Sequence, residues 1–507
     1  MTDYGLIIAK MTSGHFNQDT DSSNEWRDES GTVVYPRSYS VHEGTGLIMV
    51  KRDGTRYLLA AGMGALADAL EGETVSDSAG KLCPLSTANR LAVNRFFPYT
   101  APRAFGTGIA TIGLGDRLGI ASPGHIRVVR GKEIRPILAQ QSIRELNLTG
   151  RDYNEVLNAA CFAAFQEGYR DGFGADGDHL KAEADIRMAL DLGFTMITLD
   201  CSEQIDNQAA GLSAAELQER YKALSPEIRK YYENAYLNKT YAVAGTEIRY
   251  SETSLAQNIL IYGKAIDYMI HVYQTYIRGA GREIDFEISI DETLTPTAPE
   301  SHFFVAQELY SRGVKIFSMA PRFCGEFQKG IDYIGDIGQF EDELKFHAAI
   351  ADHFGYKLSV HSGSDKFSVF PLVGTHTRGR FHLKTAGTNW LEAMRVIAAH
   401  NPGLYRKMHA HARSHFAEAT AYYHVKADLD RVKDLDSVSD KELPEYLRDD
   451  DARQMLHITY GILLQAKGGN GKPLFKDEFF RTLDEYEQEY MEALKRHIGK
   501  HLDLLGK

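Results

Sequence analysis

From about residue 106 the chain repeats one pattern: a short apolar or β-branched run, a polar turn, then an amphipathic stretch at helical spacing. Runs at 109–114, 136–140, 172–177, 194–199, 284–290 and 314–319 read as strands. Two further segments, 356–366 and 380–388, complete the set. Each is a short run that stops at a histidine, small residues and a charge. Helices are expected at 154–169, 179–192, 301–311 and 339–354. Eight strands alternating with helices argue for a (β/α)8 barrel, an α/β fold of the TIM type.

At 507 residues the chain is longer than a bare barrel, so the excess must decorate it. Residues 1–105 read as a strand-rich N-terminal region, with a hairpin of 46–50 and 57–60 around Arg52-Asp53-Gly54-Thr55. Residues 106–400 hold the barrel. A helical insertion at about 202–282 follows the fourth strand; it carries Tyr231, Tyr232, Tyr236 and Tyr241, which read as packing, and a long helix at 255–279. Residues 401–507 form a helical extension ending in one amphipathic stretch, 475–502. That extension is expected to pack on the barrel or on another subunit of a homo-oligomer.

The net charge of −12 and the absence of a basic stripe argue against a nucleic-acid partner, while local Arg and Lys still allow a small anionic substrate. Residues 1–10 lack the basic and apolar regions of a signal peptide, and no run of about 18 apolar residues offers a membrane span. Cys83, Cys161, Cys201 and Cys324 are scattered, as in a reduced protein. These features together point to the cytoplasm.

In such barrels the C-terminal strand ends converge on one face and carry the chemistry. The third strand leads into Asp178-His179-Leu180-Lys181, and the fourth ends in Asp200 and Glu203. Along the fifth, alternation puts Glu287, Ser289 and Asp291 on one face, opposite Phe286, Ile288 and Ile290. An inward carboxylate is costly unless it meets a cation or a donor. The sixth leads to Arg322; the seventh and eighth supply His361, Lys366, Arg380, His382 and Lys384. Three histidines among carboxylates suit a divalent cation (Mn²⁺, Ni²⁺, Co²⁺ or Zn²⁺) with open positions for substrate oxygens. His179, His361 and His382 are the expected ligands, with Asp291 and His302 in reserve. Each histidine also has a plain structural reading, bonded to backbone in the core.

Asp178 reads as a proton acceptor or a helix N-cap, and Glu287 as its acid/base partner or a counter-ion to Lys384. Lys384 reads as an anion-binding group or, with a depressed pKa, a Schiff-base nucleophile. His409, His411, His415 and His424 lie in a polar helical stretch and read as a solvated or interface face. Gly113-Leu114-Gly115-Asp116 lacks the GxGxxG of a dinucleotide loop.

Taken together, Gly113 to Gly119, Asp178 to Lys181, Asp291-Glu292-Thr293 with Pro296-Thr297, His361 to Lys366 and His382 to Thr388 resemble the tagaturonate epimerase family over most of the chain. The resemblance implies a metal-dependent enzyme interconverting D-tagaturonate and D-fructuronate; some relatives act on tagatose and fructose. It also implies a proton acceptor and a metal ligand at an adjacent Asp-His pair, here Asp178 and His179.

These two ketouronates differ at C4, whose C–H is not acidified by the ketone. Simple enolisation therefore cannot invert it. A retro-aldol route is chemically easier: a base takes the C4 hydroxyl proton, the C3–C4 bond breaks, and a metal-bound enediolate and an aldehyde result. The aldehyde then re-adds through its other face. Carbonyl migration through an enediol and transient oxidation are alternatives, the latter weakened by the missing dinucleotide fingerprint. Lys181, Arg322, Lys366, Arg380 and Lys384 are the expected substrate-binding cations, arginine with bidentate geometry for a carboxylate. The competing enzyme reading is a sugar aldolase, metal-dependent or using Lys384 as a Schiff base. A sugar-binding protein without turnover is the third.

Overall fold

Asp53 and Gly54 join two strands, Thr45–Arg52 and Thr55–Ala61, through a two-residue turn in which both have positive φ (50° and 75°). That backbone matches the right-handed twist of the strands it connects. The hairpin is the centre of a six-stranded antiparallel sheet, ordered Trp26–Arg27, Val33–His42, Thr45–Arg52, Thr55–Ala61, Gly80–Pro84 and Glu73–Thr74. The structure, a computed structural model, describes residues 4–14, 16, 26–27, 31–75 and 80–507.

Beyond the sheet, eight strands close into a barrel and follow one another around the ring in chain order: Ala110–Leu114, Ile134–Gln141, Gly174–Leu180, Met196–Asp200, Asp285–Ile290, Ser318–Pro321, Lys357–Val360 and Phe381–Thr385. We number them one to eight. Between the fourth and fifth lie helices Ala214–Lys222, Pro226–Tyr236 and Glu252–Val272 with a short hairpin. Tyr236 of this insertion donates to Glu308 Oε1 (2.6 Å), and Arg312 pairs with the same carboxylate at 2.8 Å. The tyrosines therefore anchor the insertion to helix Pro299–Ser311. The chain folds into two compact units, Met1–Arg103 with Leu114–Ala175 and Ala386–Lys500, and Ala104–Gly113 with Asp176–Thr385 and His501–Lys507. Among the described residues all four cysteines are free and buried, and no helix is long and apolar enough to cross a membrane.

Three boundaries differ from the sequence expectation for physical reasons. The third strand runs on to Leu180, and its helix starts only at Glu183. Tertiary partners for Asp176 and Asp178 hold the strand where local propensity favours a turn. The sixth strand occupies Ser318–Pro321 rather than 314–319. The C-terminal stretch breaks at Tyr486 into helices Lys476–Glu485 and Glu487–Leu504.

The break presents Glu487 to the N-terminal sheet. Its carboxylate receives Lys51 Nζ at 2.5 Å, Arg56 Nη2 at 2.6 Å and the Tyr35 hydroxyl at 3.1 Å. Burial alone would raise the Glu487 pKa, but Arg56 and Lys51 hold it down to about 2. A depressed carboxylate contributes stability above its unfolded value of 4.5, and that stability is lost as pH falls toward about 2. Glu487→Gln should therefore cost about 3 kcal/mol at pH 7 in urea denaturation. It should also remove part of the stability loss between pH 4.5 and 2; identical pH slopes for wild type and variant would exclude this role.

Candidate active site

The third strand breaks its own alternation at the point where it delivers chemistry. Ile197 of the fourth strand pairs with Gly177, but Leu199 pairs with Leu180, so one extra residue bulges from the third strand. His179 takes up the bulge with φ of 54°, a left-handed backbone that costs a non-glycine residue of order 1 kcal/mol or more. As a result Asp178 and His179, neighbours in sequence, bond to each other: His179 Nδ1 lies 2.7 Å from Asp178 Oδ1.

Lys384 of the eighth strand is the hub of the barrel interior. Its ammonium donates to Asp176 Oδ2 (2.7 Å) and Asp178 Oδ1 (2.6 Å), lies 3.0 Å from Glu287 Oε1, and also bonds the Thr198 hydroxyl. Burial alone would lower the Lys384 pKa, but Asp176, Asp178 and Glu287 raise it well above the usual lysine value. Asp178 is held well below the carboxylate range: burial opposes this, and Lys384 and His179 overcome it. Asp176, fully buried, goes the other way, pushed up by burial to about 6. Glu287 is fully enclosed, receiving Thr198, Ser318 and His361 in addition to Lys384.

At the mouth of the seventh strand, His361 Nε2 donates to Glu287 Oε1 at 2.8 Å. That bond leaves Nδ1 facing His179 Nε2 at 3.1 Å and Asp291 Oδ1 at 3.3 Å. His179 in turn uses its Nδ1–H on Asp178, so its Nε2 is the nitrogen that can accept from His361. The two nitrogens and the carboxylate oxygen share a positive charge, either a proton on His361 or a metal ion in its place. Burial would lower the His361 pKa, but Asp291 and Glu287 raise it to about 10, so a second ring proton supplies that charge. One ligand atom from each of His179, Asp291 and His361 lies within 4.8 Å of the others, so the donor set fits a divalent cation.

His382 does not join this group. It is fully buried, with Nδ1 at 2.8 Å from the Thr111 hydroxyl, which also receives Lys357 Nζ at 3.0 Å. Asp291 stands where the sequence reading put His382. The reason is register: His382 pairs with Ser359, two residues inside the seventh strand, whereas His361 lies beyond its end. His302 is also remote in its bonding, held between His347 and Tyr356.

The expected substrate cations divide similarly. Lys181 bonds Ser202 (2.8 Å) and lies 3.5 Å from Asp200, while Arg322 donates to the Thr293 carbonyl. Lys366 is enclosed by backbone carbonyls, and Lys384 is spent on carboxylates. Arg380 precedes the eighth strand, at the opposite end from the site, and pairs with Asp352. Sequence reasoning missed Asp176, Thr198 and Ser318 as members of the cluster. Their only signal is a polar side chain at an inward strand position. Replacing Lys384 by Met should leave three carboxylates facing one another and cost about 3–5 kcal/mol in urea denaturation; an unchanged midpoint would remove it as their counter-ion.

With this geometry in hand, similarity to known proteins is specific. The family model for UxaE, tagaturonate epimerase, matches residues 35–505. The chain is 40% identical over 502 residues to the tagaturonate/fructuronate epimerase of Thermotoga maritima, covering 98% of this chain and 100% of that one. A glycerol-complexed crystal structure of the fructuronate-tagaturonate epimerase UxaE from Cohnella laeviribosi superposes with a TM-score of 0.93 at 61% identity over 99% of each chain. The native crystal structure of the same enzyme gives 0.93 at 60%. An acid cluster held by one lysine and a facing histidine pair thus sit on a fold shared almost end to end with these enzymes, and the chain belongs to the tagaturonate epimerase family.

Proposed function

We propose that this chain interconverts D-tagaturonate and D-fructuronate by inverting C4 of the ketose, with a divalent cation held by His179, Asp291 and His361. Family membership supports the substrate pair. One observation carries the chemistry: the convergence of His179 Nε2, His361 Nδ1 and an Asp291 oxygen on one point. Such a cation, when bound, supplies Lewis-acid charge that lowers the pKa of a sugar hydroxyl and offsets negative charge on oxygen. Mn²⁺, Ni²⁺, Co²⁺ and Zn²⁺ all accept two imidazoles and a carboxylate.

The protein's own groups divide the remaining work. Both hydrogen bonds of Asp178 fall on Oδ1, so Oδ2 is the oxygen that takes the C4 hydroxyl proton and returns it after the aldehyde has turned. Breaking the C3–C4 bond sends its electron pair toward the C2 carbonyl; addition to the other face of the aldehyde re-forms the bond with C4 inverted. Glu287 is too enclosed to touch substrate, and its part is to fix the tautomer of His361. Lys384 keeps Asp178 anionic. Its raised pKa and its carboxylate partners also argue against a Schiff-base aldolase, since an attacking amine must shed its proton.

Dialysis against a chelator should abolish turnover, with added divalent metal restoring it; full activity in metal-free protein would sink the metal role. His361→Ala and Asp291→Ala should each lower the bound metal measured by mass spectrometry, while His382→Ala should retain it. Carbon NMR of the product from D-tagaturonate tests the reaction itself: appearance of three-carbon fragments instead of D-fructuronate would favour the metal-dependent aldolase.

A further inference from the structure

The stretch Gly113 to Gly119 contributes no side chain to the active-site group, and it ends on a separate cavity. Arg117 and Gly119 line a space of about 310 Å³ together with Arg151, Glu155 and Lys476. Three cations thus reach it from three places: the loop after the first barrel strand, the turn after helix Ile143–Thr149, and the start of helix Lys476–Glu485. Arg117 is buried, only 3% exposed. It gives Nε and Nη2 to Glu145 Oε1 at 2.9 and 2.7 Å, while its Nη1 has no hydrogen-bond partner among the described residues. Arg151 Nη1 donates to the Asp116 carbonyl at 2.7 Å, which ties the second guanidinium to the residue beside the first. Gly119 permits that approach: its φ is 77°, and a Cβ there would stand 3.0 Å from Arg151 Nη2. The Lys476 ammonium, half-buried, has no hydrogen bond or ion pair among the described residues.

The carboxylate on this lining, Glu155, is exposed and receives the Asp152 N–H at 3.1 Å. Even with Glu145 offsetting Arg117, the lining stays net positive. Like charges held together in a partly enclosed space repel, and a bound anion removes that cost. We propose that this cavity binds the phosphate group of a small phosphate monoester. A phosphate turns three oxygens in different directions, which suits donors arriving from three elements; a carboxylate offers two in one plane. An adjoining cavity of about 310 Å³ shares Gly119 and Ala159 in its lining and adds Met49, Leu85, Pro123 and Phe162. Its apolar wall takes the organic part of the ester.

Calorimetric titration of the metal-loaded full-length protein with inorganic phosphate and with glucose 6-phosphate tests the proposal. Wild type should bind the ester with a Kd of about 1 mM or below, and inorganic phosphate more weakly. Lys476→Met should weaken both by about 10-fold or more, and Lys476→Arg should keep most of the affinity. Arg151→Met serves the same comparison if the Lys476 variant does not fold. Asp291→Ala, which alters the barrel site, should leave phosphate binding unchanged. No saturable binding in wild type, or equal affinity in the uncharged variants, overturns the proposal. So does binding lost in Asp291→Ala and kept in Lys476→Met, which would place the phosphate at the barrel site.

Discussion

The ammonium of Lys384 is what allows three carboxylates to exist inside the barrel. Burying one unpaired carboxylate costs several kcal/mol, and three in contact would take up protons from solvent or unfold the strand ends that carry them. With Lys384 in place the order of causes runs outward. It fixes Asp178, and Asp178 fixes which nitrogen of His179 carries the proton. It lies against Glu287, and Glu287 does the same for His361. The two imidazoles then turn their remaining nitrogens toward each other at 3.1 Å. A buried lysine thus orients a pair of imidazoles that it does not itself touch.

The same hub explains a cost accepted elsewhere. The bulge and the left-handed backbone at His179 are unfavourable locally, yet they bring two consecutive side chains onto one side of a strand, which regular alternation forbids. The bonds from Asp178 to both His179 and Lys384 offset that strain.

Much of the fold was legible because barrel strands write themselves as short apolar runs between helices. The strand count and the inward face of the fifth strand both follow from period alone, and Glu287, Ser289 and Asp291 do share a face. The site was legible only to the nearest strand end. Sequence shows that His361 and His382 lie near the ends of adjacent strands, but not that one projects past the barrel mouth and the other lies two residues within it. Likewise Lys366 and Arg380 look like ligand cations because nothing local reveals the backbone carbonyls or the Asp352 carboxylate that receive them. Depth along a strand and the identity of a distant partner are tertiary quantities. Period-two patterning carries neither.

The ion cluster at Glu487 joins residues 431 positions apart in the chain. During synthesis at roughly 5–20 residues per second, Lys51 and Arg56 would emerge roughly 20–90 s before the carboxylate that neutralises them. Until then the N-terminal sheet carries two cations at positions built to be buried, so its hairpins can form early while their final electrostatic closure waits for the last helix. The order of translation therefore makes the sheet one of the first elements to take shape and among the last to become secure.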